Sequence, residues 1–291
     1  MERRVKTPEL LFEDFYTDKI MNGCSERTLL NYRYCFGYYM AHSTGEFTKE
    51  AYKGFILFLT QSELSLASKN HFITHIRAFF YWLMHEGYMP HFKISLMRGQ
   101  EPTCKAYTQE EIQKLLVCNT KKCSFVEHRC YVIICFILAT GARANTIINI
   151  KKEDITGEYC KITTQKNKKA TTIPLSPQIQ RTLKDFVNSW DNESEWLFSD
   201  RYGNQLTLNA IRQSMEDYFT ARNVKYHGVH SLRHTFAREF IINGGNALIL
   251  QKMLGHSTLA MTKKYCYLYA DDCKDIIDKM TPLDTLLVKK R

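Results

Sequence analysis

The sequence has no uninterrupted apolar run approaching the roughly 18 residues that a membrane-crossing helix needs. Its start also lacks the layout of a secretory leader. The most apolar stretch, Tyr131 to Ala139, is too short to span a bilayer and reads as a buried helix. A membrane protein and an exported one are therefore not expected, and the expected location is cytoplasmic. None of the ten cysteines has CxxC spacing, so neither a disulfide framework nor a cysteine-built zinc site is expected, and the thiols read as reduced. Acidic residues are in deficit, 30 against 40 Lys and Arg, for a formal charge of +10. Such an excess favours polyanionic partners, because each cation placed on a phosphate releases condensed counterions. By itself it equally describes a soluble surface of one sign.

What is present divides in two. The 291 residues are long enough for two domains with separate cores, and no internal repeat or low-complexity tract interrupts them. Residues 7 to 88 carry four amphipathic stretches at helical spacing. Thr7-Pro8 places a cap before a proline at the first helical position, where a missing N–H is harmless. Ser25, Thr48 and Ser65 are caps for the next three helices, and Gly87 ends the fourth. Four short helices make a small bundle, here given the bounds 1–90. Residues 91–104, with proline, glycine and basic residues, read as a linker. Thr108 with Glu111 forms a capping box that opens the second domain, 105–270. There a buried helix at about 127–139 leads into Thr140-Gly141-Ala142-Arg143. Tyr159 to Thr164 and Thr171 to Leu175, rich in β-branched residues, flank the polar turn Gln165 to Lys169 and predict a hairpin with a lysine-loaded tip. Helices resume near 177. The fold class expected is mostly α with a small antiparallel sheet.

Four stretches have the residue types for chemistry on a phosphate. They are Arg143 after the buried helix, Gln165 to Lys168 with Pro174 in the hairpin, His230-Ser231-Leu232-Arg233-His234, and Leu254-Gly255-His256 followed by Tyr265. His230 and Arg233 are three apart, so a helix puts them on one face. A guanidinium there can grip two oxygens of one phosphate while the imidazole moves a proton. Alone, such a pair describes a capping histidine and a surface arginine just as well. Gly255 stops a helix, His256 sits at the break, and Tyr265 falls nine residues later, some two turns into a helix begun by Ser257 or Thr258.

Taken in order, an arginine, a hairpin lysine, HxxR, and GH with a tyrosine nine residues on, the pattern resembles the tyrosine recombinase, or phage integrase, family over nearly the whole chain. Ser25-Glu26-Arg27-Thr28 with Tyr32, and Arg77-Ala78-Phe79-Phe80, resemble that family's helical core-binding domain. The resemblance implies a C-shaped clamp of two domains around double-stranded DNA. It implies that Arg143 and Arg233 hold the scissile phosphate, that Lys166 protonates the departing 5′ oxygen, with Lys168 and Lys169 as rivals, and that His230 assists proton transfer. His256 would hydrogen-bond the phosphate. Tyr265 would be the nucleophile, with Tyr267 and Tyr269 competing by proximity only. Residues 271–291 would pass to a neighbouring protomer in a homo-tetramer on paired DNA sites, with directionality proteins as accessory partners. Neither metal nor other cofactor is implied. Arg27, Lys69, Arg77, Lys168 and Arg212 are DNA-contact candidates, and Arg222 a weaker one. The chain departs from the family at Thr146, where an acidic residue is usual. Because the four-helix unit begins within ten residues of the start, the compact Xer-like recombinases are the nearer expectation than integrases with an arm-binding domain. Rival readings are a topoisomerase-like enzyme, a silent DNA-binding regulator of the same fold, and a metalloenzyme built on His227, His230 and His234.

Overall fold

The computed structural model describes residues 6–99, 105–163, 170–190, 193–256, 258–263 and 265. They form two compact units, dividing at Pro102 and Thr103. Among them, no helix is long and apolar enough to cross a membrane.

The first unit is the bundle α1 (Pro8–Met21), α2 (Glu26–Ala41), α3 (Lys49–Gln61) and α4 (Leu66–His85). Each begins at the hydroxyl the sequence offers. Thr7, Ser25, Thr48 and Ser65 all accept a backbone N–H from the first turn, satisfying donors the helix leaves unpaired. The core is aromatic. Phe79 is almost wholly buried, and its ring meets Phe12, Phe15, Phe36 and Phe47 at edge-on angles with centroids 5.1 to 5.7 Å away, the arrangement ring quadrupoles prefer. Residues after α4 stay with this unit. Met89 and Ile94 are buried in its core. Asn70 holds Met97 through both amide atoms, at 3.0 and 2.8 Å, and Tyr81 brackets Ile94 likewise. Much of the stretch read as a linker is thus fastened to the bundle.

The second unit is built around α6 (Phe125–Thr140). This helix is apolar on most faces because it packs against three others: α8 (Pro177–Ser189), α9 (Leu208–Thr220) and α10 (Val229–Ile242). Before it, α5 (Gln109–Leu115) opens with the expected capping box of Thr108 and Glu111. After it come α7 (Ala144–Asn149), a single 3-10 turn, and a three-stranded antiparallel sheet. In that sheet β1 (Ile155–Thr156) pairs with β2 (Tyr159–Thr163), which pairs with β3 (Ala170–Pro174). The register joins Thr163 to Ala170, so the hairpin is as expected in kind. The two-residue β1 carried no usable sequence signal. Its tip, with Lys166 and Lys168, lies outside the described residues. The chain closes through α11 (Ala247–Leu254) and α12 (Leu259–Lys263). Tyr265 is not two turns inside a helix. It follows α12 in a turn, its N–H bonded to the Thr262 carbonyl.

Gly141 caps α6 with φ +66°, and a Cβ there would fall 2.6 Å from the Phe236 ring and 2.7 Å from Leu254. The left-handed conformation costs about 1–2 kcal/mol for any other residue, and overpacking typically 1–3 more. Gly141→Ala is expected to lower the stability of this unit by about 2–5 kcal/mol in denaturant unfolding; a loss under 1 kcal/mol contradicts the close approach.

Candidate active site

Three helix ends meet where the motifs converge. Arg143 follows the αL turn after α6, His230, Arg233 and His234 occupy the first turns of α10, and His256 follows the αL cap of α11 at Gly255. Arg233 is the hub. It is 5% exposed. Its Nη1 donates to the Gly141 carbonyl, and its Nη2 donates to the Leu254 carbonyl at 2.8 Å and to His256 Nε2 at 3.0 Å. Both carbonyls lie at helix C-termini, where the macrodipole favours a cation.

An arginine only donates, so His256 Nε2 is the acceptor and its Nδ1 carries the hydrogen given to Thr262 Oγ1 at 2.8 Å. The imidazole is neutral. Desolvation first, then Arg233, Arg143 and His234, bring its pKa down to about 4. His230 lies in the first turn of α10 with its residue surface open to solvent, yet desolvation, Arg233 and Arg143 all lower its pKa. Arg143 reaches toward α11: its Nη1 would be 3.7 Å from a Cβ on Gly255. The Tyr265 hydroxyl is in hydrogen-bonding reach of Arg233. Desolvation and Arg143 lower the pKa of that guanidinium while Tyr265 raises it. The phenol ring lies nearly parallel to His256, 6.1 Å between centroids, and 5.3 Å from His234.

Five of the six sequence-assigned catalytic residues, Arg143, His230, Arg233, His256 and Tyr265, are thus gathered on one side of this unit; Lys166 lies outside the described residues. Among those residues no carboxylate is within ion-pair distance of either guanidinium. Two cations and neutral imidazoles without a counter-anion make a site for a doubly liganded anion such as a phosphodiester. Sequence reasoning missed His234 as a site residue, having met it only in the histidine trio. It stands four residues after His230, one turn on, and its Nδ1 is buried without a hydrogen-bond partner among the described residues. His227 of that trio turns instead to Tyr107, whose hydroxyl accepts its backbone N–H at 2.9 Å. Thr146 gives its backbone N–H to the Arg143 carbonyl at 2.8 Å, within α7.

The DNA-contact candidates are placed as follows. Arg27 is exposed in the first turn of α2 and Arg212 is exposed on α9; Lys69 and Arg77 lie partly covered on α4. Lys69 donates to the Thr60 carbonyl at 3.1 Å. Arg222 is not a free surface charge. It pairs with Glu127 at 2.7 Å, donates to the Val117 carbonyl and stacks 3.5 Å over Tyr218. These contacts latch its own domain.

Residues 105–271 match the model of the phage integrase family, and the chain belongs to that family of tyrosine-type site-specific recombinases. The integrase of Escherichia phage 186 is 32% identical over 188 residues, 64% of this chain but 50% of the phage protein, so the chain spans half that relative's length. The tyrosine recombinase XerA of Pyrococcus furiosus is 25% identical over 294 residues, 99% of both chains. A lambda integrase tetramer bound to a Holliday junction has the same fold, with TM-score 0.73 over 90% of this chain and 78% of that one at 16% identity.

Because the folded pKa of His256 lies below its unfolded value, the unfolded chain binds more protons between pH 6.5 and about 4. Its contribution is complete above that window and is lost as pH falls through it. Thermal midpoints measured from pH 7 to 4 are expected to fall, and to fall less steeply in His256→Gln, where His230 and His234 still contribute in the same sense. Coincident curves for variant and wild type would remove His256 from this linkage.

Proposed function

We propose that this protein cuts and rejoins double-stranded DNA at specific sites through a 3′-phosphotyrosine on Tyr265. What carries the reading is the pair of guanidiniums, Arg143 and Arg233, brought together without a carboxylate among the described residues and with the Tyr265 hydroxyl in reach of one of them. Their mutual repulsion is relieved by an anion held between them. Arg143 and Arg233 grip the non-bridging oxygens of the scissile phosphate and stabilise the pentacovalent transition state; a lysine would lack the planar fork.

Tyr265 Oη attacks phosphorus as its proton leaves with help from His230. The P–O5′ bond breaks, and the departing 5′ oxygen takes a proton from Lys166 at the hairpin tip. His256, which accepts from Arg233 and donates to Thr262, orients that guanidinium on the phosphate; a hydrogen bond of its own to the phosphate would require the Nε2–H tautomer and release of Arg233. The new phosphotyrosine ester conserves the phosphodiester energy, so a 5′ hydroxyl reverses the step without ATP. Thr146 gives its backbone N–H to the Arg143 carbonyl, a contact any residue there can make, and an acidic residue at that place would not itself be a phosphate ligand.

The helical unit carries Arg27, Lys69 and Arg77 to the duplex, and the two units act as a clamp in the cytoplasm. Four protomers would assemble on paired sites, with accessory proteins setting direction. Residues 271–291, with Ile276, Ile277, Met280, Leu283, Leu286 and Leu287, supply an apolar segment for a neighbouring protomer. A cleft of about 570 Å³ lined by Ile112, Leu138, Phe236 and Phe240 is the surface such a segment would fill.

The test uses a duplex selected from a random pool by binding, nicked next to the cleavage position so that the released strand cannot return. Wild type is expected to accumulate a covalent protein–DNA adduct and Tyr265→Phe none; an adduct in that variant moves the nucleophile elsewhere. Arg143→Ala is the cleaner probe of the clamp, since Arg233 also ties helices together. Its adduct formation is expected to slow by about 10²–10³-fold with DNA binding retained. Plasmid relaxation without exchange between duplexes would favour the topoisomerase-like alternative.

A further inference from the structure

His71 and His75, one turn apart on α4, face Cys35 of α2. Each of the three offers one ligand atom, and these atoms all lie within 4.8 Å of one another. Among the described residues no other group of three or more Cys, His, Asp or Glu side chains comes together in this way. The spacing of four puts both imidazoles on one face of the helix, with ring centroids 4.4 Å apart.

His75 Nδ1 lies 2.8 Å from the His71 carbonyl oxygen. A carbonyl only accepts, so Nδ1 carries the hydrogen and Nε2 keeps its lone pair. This is how metal-ligating imidazoles are oriented, the second nitrogen being fixed by a backbone carbonyl or carboxylate. Cys35 is fully buried at the edge of the aromatic core. The Tyr32 ring stands edge-on to His75, 5.3 Å between centroids, and shields that side from solvent.

We propose that Cys35, His71 and His75 form a binding site for a tetrahedral transition-metal cation, zinc(II) by preference, with water in the fourth position. The donor set selects the metal. One thiolate and two imidazoles suit a borderline cation, and the absence of any oxygen donor from the set disfavours magnesium and calcium. With metal–sulfur near ~2.3 Å and metal–nitrogen near ~2.0–2.1 Å, tetrahedral ligands stand roughly 3.3–3.6 Å apart. Small side-chain rotations suffice to bring atoms that lie within 4.8 Å of one another to that spacing. On binding, the Cys35 thiol gives its proton to solvent, one sulfur–metal and two nitrogen–metal bonds form, and the aqua ion sheds all of its waters but one.

The cation joins α2 to α4 across the bundle, and because it binds only the folded arrangement it stabilises that arrangement by mass action. The site lies wholly in the helical unit and is independent of the phosphate chemistry proposed for the other one.

The experiment titrates full-length, chelator-stripped protein with cobalt(II), then with zinc(II). Wild type is expected to bind one equivalent of cobalt with tetrahedral d–d bands and a thiolate-to-cobalt charge-transfer band, all bleached by zinc. Cys35→Ala is expected to lose the charge-transfer band. The double variant His71→Gln/His75→Gln alters side chains on one helix face and keeps the buried thiol, so it is expected to retain its helical signal. Its cobalt affinity should be at least tenfold weaker, and its thermal midpoint should no longer respond to zinc. No charge-transfer band in wild type at one equivalent overturns the proposal. So does an undiminished band in Cys35→Ala, or wild-type cobalt affinity in the folded double variant.

Discussion

Arg233 holds its guanidinium where the carbonyl ends of α6 and α11 meet, and the arrangement of the site follows from keeping that charge in a place water hardly reaches. A buried cation costs several kcal/mol unless its donors are matched. Here two C-terminal carbonyls and a neutral imidazole match them, each helix terminus supplying a negative dipole end. A carboxylate would have matched them more fully, but it would also have occupied the position of the proposed phosphate. Arg143 adds a second positive charge that opposes the first. The protein therefore holds in its fold an electrostatic tension that an anion between the two groups releases.

The same tie sets the surroundings of Tyr265. His256 receives one hydrogen from Arg233 and gives one to Thr262, so the guanidinium indirectly positions the turn that carries Tyr265. Tyr265 also packs on the small cluster of Phe236, Ile241, Leu250 and Leu254, formed by α10 and α11. Gly141 is the permissive element. Without a Cβ it lets Phe236 and Leu254 close over the end of α6, which brings the carbonyl of residue 141 to Arg233. Packing and electrostatics are here the same contact seen from two sides.

The helical unit meets a different demand. Its core is built from stacked and edge-on rings, and it extends beyond α4 to hold residues 89–97 through Tyr81 and Asn70. Cys35, His71 and His75 lie within the same bundle, where a metal ion would join two of its four helices.

Much of this was legible in the linear chain because its signals are local. Thr7, Ser25, Thr48, Ser65 and Thr108 cap helices within three residues of themselves, and the β-branched runs around 159 and 171 pair as neighbours. The order of Arg143, His230, Arg233, His256 and Tyr265 carried the site for a related reason: each stands next to a glycine, a cap or a helix turn that shows in the sequence. What the tertiary structure decided are contacts between positions far apart. Arg222 is spent on Glu127 and Tyr218, His234 is laid against Tyr265, and Cys35 faces two histidines more than thirty residues away. A charge or an imidazole has no preferred partner until packing brings one within a few ångströms, and no period or spacing in the chain records which partner that will be.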